Sequence, residues 1–528
     1  MPQKNMNATF DLIIRGGTVY DGSGTAGFAA DVAVAGDRIA AVGDLSAASS
    51  AKTIDATGRA VCPGFIDIHS HGDILPLLCP TADSKILDGV TTEIIGNCGM
   101  SPFPQSPEVV ARRCDNPDHE IRPDWSSFEE FAARQEEIGT SINRGILVGH
   151  GNLRKCVAGD RSGELSADER QRMARLLRRS LDAGALGMSS GLIYPPGCFS
   201  TRDEMLPLCR IVSEYDALYS THVRSEGDAL EAAVSECCDV AAETGARLQI
   251  SHLKASGRRN WRKIDWLLEE LERRLDAGVD LAADRYPYVA SCTDLDALLP
   301  TWAVEGGTEA ELARLADHGI RSRMIAPHWD ADHWRGVMVS SVRTDANKQF
   351  EGKTIAEISE ARGCEPADAL FDLILEEKTK VSAILFSMCE ENLERVLRFP
   401  LTAIGSDASV RAVSGPTAIG KPHPRAFGTF ARTLGVCVRE RGILDLATAV
   451  HRMTGLPARR LRLKDRGAIG AGWFADVTVF DPETIIDNAT FADPYRYSSG
   501  IDHVLVNGVH TVAGGQHTNK LAGRLLRR

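Results

Sequence analysis

Six side chains able to bind or activate a divalent metal stand at the ends of short apolar runs. His69 and His71 close the run Gly64-Phe65-Ile66-Asp67-Ile68-His69-Ser70-His71. Cys98 follows Thr91-Thr92-Glu93-Ile94-Ile95-Gly96-Asn97, and His222 ends Leu218-Tyr219-Ser220-Thr221-His222. His252 ends Leu248-Gln249-Ile250-Ser251-His252, and Asp407 ends Leu401-Thr402-Ala403-Ile404-Gly405-Ser406-Asp407. On a strand, the period of two puts His69 and His71 on one face. Neutral imidazoles side by side suit a divalent ion, zinc first. Each alone is a weak signal, since a lone histidine at a strand end is more often structural. Together they make a metal centre if one fold gathers the ends.

The elements that gather them repeat along the chain. Short apolar strands are expected at 64–71, 91–97, 144–150, 184–190, 217–223, 246–253, 279–286 and 401–406, with amphipathic helical stretches such as Ala167–Ala183, Asp228–Thr244 and Trp261–Ala277 between them. Eight such repeats read as a (β/α)8 TIM-type barrel, whose chemistry lies at the C-terminal rim of the strands. That rim is where the six side chains fall. The barrel is expected to span 64–465. Its seventh and eighth strands are far apart, and 292–350 reads as an inserted subdomain over the mouth, followed by a helix at Pro366–Lys378. Residues 1–63 and 466–528 read as strands and turns, with Asn507-Gly508 at a hairpin tip. The two pieces are expected to pair into one small β-sandwich. The tail Leu525-Leu526-Arg527-Arg528 is expected to fray.

Composition narrows the class of partner. A chain of 528 residues exceeds one typical core, so more than one domain is expected. The formal charge of −12 argues against nucleic acid or an anionic membrane, leaving a small molecule. No apolar run approaches the ~18 residues that span a bilayer, and no apolar leader follows Met1. Thirteen scattered cysteines without an extracellular spacing fit reduced thiols and a cytoplasmic location. The oligomeric state is not readable.

The residues resemble a known family. His69-Ser70-His71, His222, His252 and Asp407 on strands one, five, six and eight look like the amidohydrolase superfamily. Gly96-Asn97-Cys98-Gly99 points to one branch, the N-acyl-D-amino-acid deacylases, or D-aminoacylases. So do Ser189-Ser190-Gly191-Leu192-Ile193-Tyr194-Pro195, Thr221-His222-Val223-Arg224-Ser225-Glu226-Gly227, Ser251-His252-Leu253-Lys254, Asp284-Arg285-Tyr286-Pro287-Tyr288 and His423-Pro424-Arg425-Ala426-Phe427-Gly428-Thr429. The resemblance covers nearly the whole chain. It implies the barrel and the sandwich, and zinc-dependent hydrolysis of an N-acyl bond on a D-amino acid.

By the same resemblance, one zinc is held tightly by Cys98, His222 and His252, and His69 and His71 form a second, weaker position. Many amidohydrolases bridge two metals with a carboxylated lysine on strand four. Here that strand reads Gly184-Ala185-Leu186-Gly187-Met188-Ser189-Ser190-Gly191, and the Cys98 thiolate is the replacement. Asp407 is the expected general base, taking a proton from metal-activated water and passing it to the leaving amine. Arg425, Lys254 and Tyr286 are expected to clamp the substrate carboxylate, with Tyr194 nearby. Arg224 and Glu226 are given a supporting rather than a catalytic place. Arg285 and Arg411 stand where a basic pocket would favour an acidic side chain. The competing readings are a cyclic-amide hydrolase of the hydantoinase or dihydroorotase type, which usually needs the missing lysine, and a non-enzymatic scaffold, which tends to lose ligands.

Overall fold

The computed structural model describes residues 9–106, 110 and 123–528. The chain opens with β1 (Thr9–Val19), β2 (Phe28–Ala35), β3 (Arg38–Gly43), β4 (Ser49–Asp55) and β5 (Ala60–Pro63). It then enters β6 (Phe65–Asp67), β7 (Val90–Ile95), β8 (Asn143–Gly149), β9 (Gly187–Gly191), β10 (Leu218–His222), β11 (Arg247–Ile250) and β12 (Leu281–Arg285). β13 (Ser291–Asp294), β14 (Val337–Ser341) and β15 (Ser382–Leu385) precede β16 (Thr402–Ile404). The chain finishes with β17 (Val477–Phe480), β18 (Ile501–Val506), β19 (Val509–Ala513) and β20 (Gln516–His517).

β6 to β12 and β16 form one eight-stranded parallel sheet in chain order, with helices between successive strands. Alternation explains its two faces. Ile95, Ile146, Val148, Met188, Leu248 and Ile250 point outward and pack on the helices. Ile94, Leu147, Leu186, Leu218 and Ala403 point inward and meet Leu456, Ala458 and Leu461. The helix Ala167–Asp182 shows how the outer layer is specified. Ser166 and Glu169 close a capping box at its start, and Met173, Leu177 and Leu181 form its buried stripe. All eight expected barrel strands are present, but most are shorter than the apolar runs suggest. Cys98, His252 and Asp407 have φ of +51°, +36° and +51°, so the chain has left the extended conformation where they stand.

The sheet closes on itself without a full ladder. β6 pairs only with β7 and β16 only with β12. The seam between β6 and β16 is joined by an isolated parallel bridge, Ser70 to Ala408. Asp407 N donates to His69 O at 2.7 Å, and His71 N to Ala408 O at 3.1 Å.

The termini build a second, nine-stranded sheet in the order β20-β19-β18-β17-β5-β1-β2-β3, with β4 beside β1. β5 joins the two halves, parallel to β1 and antiparallel to β17. Leu12, Ile14, Val32, Val34, Ile39, Val477, Val479 and Leu505 form its own core. β13, β15 and β14 make a third, antiparallel sheet, whose Val339 and Ala383 share a core with Leu295, Leu315, Leu370 and Phe371. The tail does not fray. Arg144 N donates to Arg524 O, Leu526 N to Arg144 O and Arg528 N to Gly184 O, because these barrel-flanking backbone groups have no other strand to satisfy them. Among the described residues no helix is long and apolar enough to cross a membrane.

One buried ion pair ties β8 to the rim. Arg144 Nε lies 2.9 Å from Glu93 Oε1, with both side chains fully buried. Its Nη1 donates to Gln135 and its Nη2 to Gly72 O, while Glu93 also accepts from Ser70 Oγ at 2.6 Å. Removing one partner of such a pair leaves the other charge buried alone. Arg144→Met is therefore expected to cost about 3–5 kcal/mol, read as a lowered denaturation midpoint, and the added Glu93→Gln is expected to recover part of the loss.

Candidate metal centre and active site

Each side chain at the rim is placed by a local device. Cys98 rides a turn after β7 in which Ser189 Oγ donates to Gly96 O and accepts from Gly99 N at 3.0 Å. The turn presses on β9 so closely that a methyl group on Gly191 would collide with the Cys98 carbonyl. His252 follows β11, and its backbone N–H donates to Asp284 Oδ1 at 2.8 Å. The same Asp284 oxygen is 2.9 Å from His69 Nδ1, so one carboxylate at the end of β12 orients two histidines. Asp407 lies in the turn after β16. Three non-glycine residues held at positive φ represent strain of about 1–3 kcal/mol each, persisting because neighbouring contacts fix them.

The side chains expected to converge do so. Cys98 Sγ is 3.4 Å from His69 Nε2 and 3.6 Å from His252 Nε2. The His222 and His252 rings are 4.4 Å apart between centroids. His69, Cys98, His252 and Asp407 each bring one donor atom within 4.8 Å of the others, and His222, Glu226 and His252 form a second such set sharing His252. Asp407 Oδ1 lies 3.1 Å from His71 Nε2 and 3.4 Å from His69 Nε2.

The electrostatics are those of a cation site. Burial alone would raise the Cys98 thiol, but the charge of His69 and the close imidazoles of His222, His252 and His69 bring it well below the ordinary thiol range. Burial opposes protonation of His71, yet hydrogen bonds with Asp407 and Cys98 raise it to about 10. Burial would raise Asp407, but the Arg425 guanidinium and His252 hold it well below the usual carboxylate range. His222 is shifted down by burial, and both its ring nitrogens are buried without a hydrogen-bond partner. A neutral imidazole with orphaned nitrogens, beside a stabilised thiolate and further imidazoles, is the donor set that zinc takes. The residues therefore fit the metal.

The other expected residues line one side of the cluster. Arg425 Nη1 is 2.7 Å from Asp407 Oδ2, yet neither it nor Nε is aimed at an acceptor, and Nη2 reaches Cys292 O at 3.3 Å. The Arg425 guanidinium lies over the Tyr286 ring at 4.5 Å, and the buried Tyr286 hydroxyl has no partner. Lys254 bonds Glu226 Oε1 and lies 2.7 Å from His252 Nδ1. Tyr194 presents its ring edge to His222 at 5.0 Å, and its hydroxyl meets Thr293 Oγ1 at 3.1 Å. β13 thus borders the site.

Two residues earn more weight than the sequence suggested. Glu226 Oε1 is 2.9 Å from His252 Nδ1 and 3.7 Å from His222 Nε2, besides its bond to Lys254. Asp284 was hidden within a motif, although alternation with Tyr286, just past the end of β12, marks it as facing the same side. The same alternation turns Arg285 off that face, although its guanidinium lies 4.3 Å from the Tyr286 ring centroid. Its Nη2 donates to Tyr288 O at 2.8 Å and to Met388 Sδ at 2.9 Å. Arg411 turns its guanidinium to the Thr417 and Ile419 carbonyls. Nε and Nη1 of Arg285 are buried without a hydrogen-bond partner.

Comparisons with known proteins agree with this geometry. Residues 52–512 match the model of the amidohydrolase family. The chain is 38% identical over 525 residues to the N-acyl-D-glutamate deacylase of Alcaligenes xylosoxydans xylosoxydans, covering 99% of this chain and 98% of that one. It is 35% identical over 519 residues to a D-aminoacylase of the same organism, covering 98% of each. It superposes with a TM-score of 0.83 at 32% identity on the N-acyl-D-glutamate deacylase of Bordetella bronchiseptica, covering 99% of this chain and 100% of that one. That structure was solved with zinc and a phosphonate inhibitor, a mimic of the reaction's tetrahedral intermediate. With the cysteine, the histidines and the aspartate gathered at one barrel rim, the chain belongs to the amidohydrolase family, in its D-aminoacylase branch.

Proposed function

We propose that the protein is a zinc-dependent hydrolase that cleaves the N-acyl amide bond of N-acyl-D-amino acids, giving a carboxylate and a free D-amino acid. The observation that carries this reading is a pairing. A cluster of sulfur, nitrogen and oxygen donors lies against a buried guanidinium and a buried phenol that both have unused hydrogen-bonding capacity. The first suits a metal, and the second suits a substrate carboxylate. The names of the relatives and the intermediate mimic bound to one of them support amide hydrolysis. A zinc ion held by Cys98, His222 and His252 would supply Lewis acidity and lower the pKa of water towards neutrality. His69 and His71 offer a second, weaker position. Asp407 is ionised and takes a proton from water as the water oxygen attacks the acyl carbon. It delivers that proton to the amine nitrogen as the C–N bond breaks. Arg425 and Tyr286 hold the substrate carboxylate beside Asp407, and Lys254, anchored by Glu226, adds a positive charge on the same side. Tyr194 walls the space next to His222. β9 reads Gly187-Met188-Ser189-Ser190-Gly191 and carries no bridging lysine, which disfavours the cyclic-amide alternative. A cytoplasmic location belongs to this reading, and the described cysteines are free thiols that fit it.

The test is a panel of N-acetyl D- and L-amino acids with zinc-loaded protein. Amine is expected from the D series, and conversion of the substrate carboxylate to an amide is expected to lower kcat/KM. Absence of D-selective release would falsify the substrate assignment. Asp407→Asn is expected to lower kcat by about 10²–10⁴-fold while the protein stays folded and zinc-loaded. Chelation is expected to abolish turnover, and added zinc to restore it at close to one ion per chain.

A further inference from the structure

The β6–β16 seam is the place where the barrel lacks a ladder, and it is also the source of His69, His71 and Asp407. One side chain spans it from outside. Lys85 belongs to the short helix Asp83–Ile86, yet only 2% of it is exposed. Its ammonium group has three donors, and all three are used across the seam. Nζ lies 2.7 Å from Asp67 Oδ2, 2.6 Å from Ser406 Oγ and 2.9 Å from Ala408 O. Asp67, at the end of β6, completes the clasp. Its Oδ1 accepts from Ser406 N at 2.8 Å, and its Oδ2 accepts from Ser406 Oγ at 2.6 Å. The residues on both sides of Asp407 are therefore held by the same ammonium–carboxylate pair. Asp407 itself has a φ of +51° and donates its N–H to His69 O. Lys85 touches neither Arg425 nor Tyr286.

We propose that Lys85, acting through Asp67 and Ser406, is a positioning residue that holds the strained Asp407 turn in register with the His69–His71 turn. A carboxylate that must reach water, the substrate nitrogen and neighbouring histidines loses rate steeply when displaced by about 1 Å. The clasp acts on the base and not on the carboxylate clamp, so its loss falls on kcat rather than KM.

The experiment uses the full-length zinc-loaded protein and two readouts. Lys85→Met is expected to speed backbone amide exchange in the peptide 401–412 by at least about tenfold, with strands β8 to β11 exchanging as in the parent. On N-acetyl-D-amino acids its kcat is expected to fall about 10–100-fold, with KM changed less than about threefold and zinc content unchanged. Ser406→Ala keeps the Lys85–Asp67 pair and removes the hydroxyl that joins Lys85, Asp67 and Ala408 N, so it decides the matter if Lys85→Met does not fold. It is expected to show the same pattern, and Ser406→Thr, which keeps the hydroxyl, is expected to restore it. Parent-like exchange in 401–412 overturns the proposal, as does a loss that falls equally on KM or an exchange increase spread over the whole barrel. The kinetic arm rests on the role given to Asp407 above. If the parent releases no amine, that functional reading fails, and the exchange arm alone judges the clasp.

Discussion

Five carboxylates, Asp67, Glu93, Glu226, Asp284 and Asp407, stand in or just under the rim of the barrel, and the architecture of the site follows from how their charge is matched. Each has its own cation or imidazole: Lys85, Arg144, Lys254, His69 and Arg425 respectively. Burying a carboxylate unpaired costs several kcal/mol, and the same carboxylate with a well-placed partner is nearly neutral. The partners come from different elements, so the pairing welds those elements together. Glu93 joins β7 to β8, Asp284 joins β12 to the turn after β6, and Asp407 joins the turn after β16 to the segment carrying Arg425. The catalytic groups are held by a set of electrostatic ties that would be expensive to break one at a time.

Strain is the counterpart of that rigidity. Cys98, His252 and Asp407 all leave the extended region of backbone space at the point where their side chains are needed. A strand that simply continued would send alternate residues away from the barrel axis. The left-handed turns aim consecutive loops back over the mouth, and the buried pairs keep them there. This is pre-organisation in the sense that matters for catalysis, because donors already in place need no reorganisation as charge develops.

Much of this was legible in the chain. Alternating apolar runs reveal eight strands because buried parallel strands must be apolar on both faces, and the chemistry-bearing residues stand out because they end those runs. What periodicity cannot see is pairing at long range. Lys85 reads as an ordinary helix lysine until Ser406, 321 residues later, is placed against it. Asp284 and His69 are 215 residues apart. The tail looked loose because its composition is unremarkable, and only the unpaired backbone along β8 and beside Gly184 explains why it docks.

The central place of β5 in the terminal sheet carries a consequence for how the protein is made. Val61 pairs with Val479, its neighbour across 418 positions of chain. At ~5–20 residues per second, about 20–80 s of translation separate the two. During that interval β5, whose four residues are all buried in the finished molecule, has one edge and an apolar surface open to solvent. A chain caught in this interval carries an unpaired strand edge, the feature that invites aggregation.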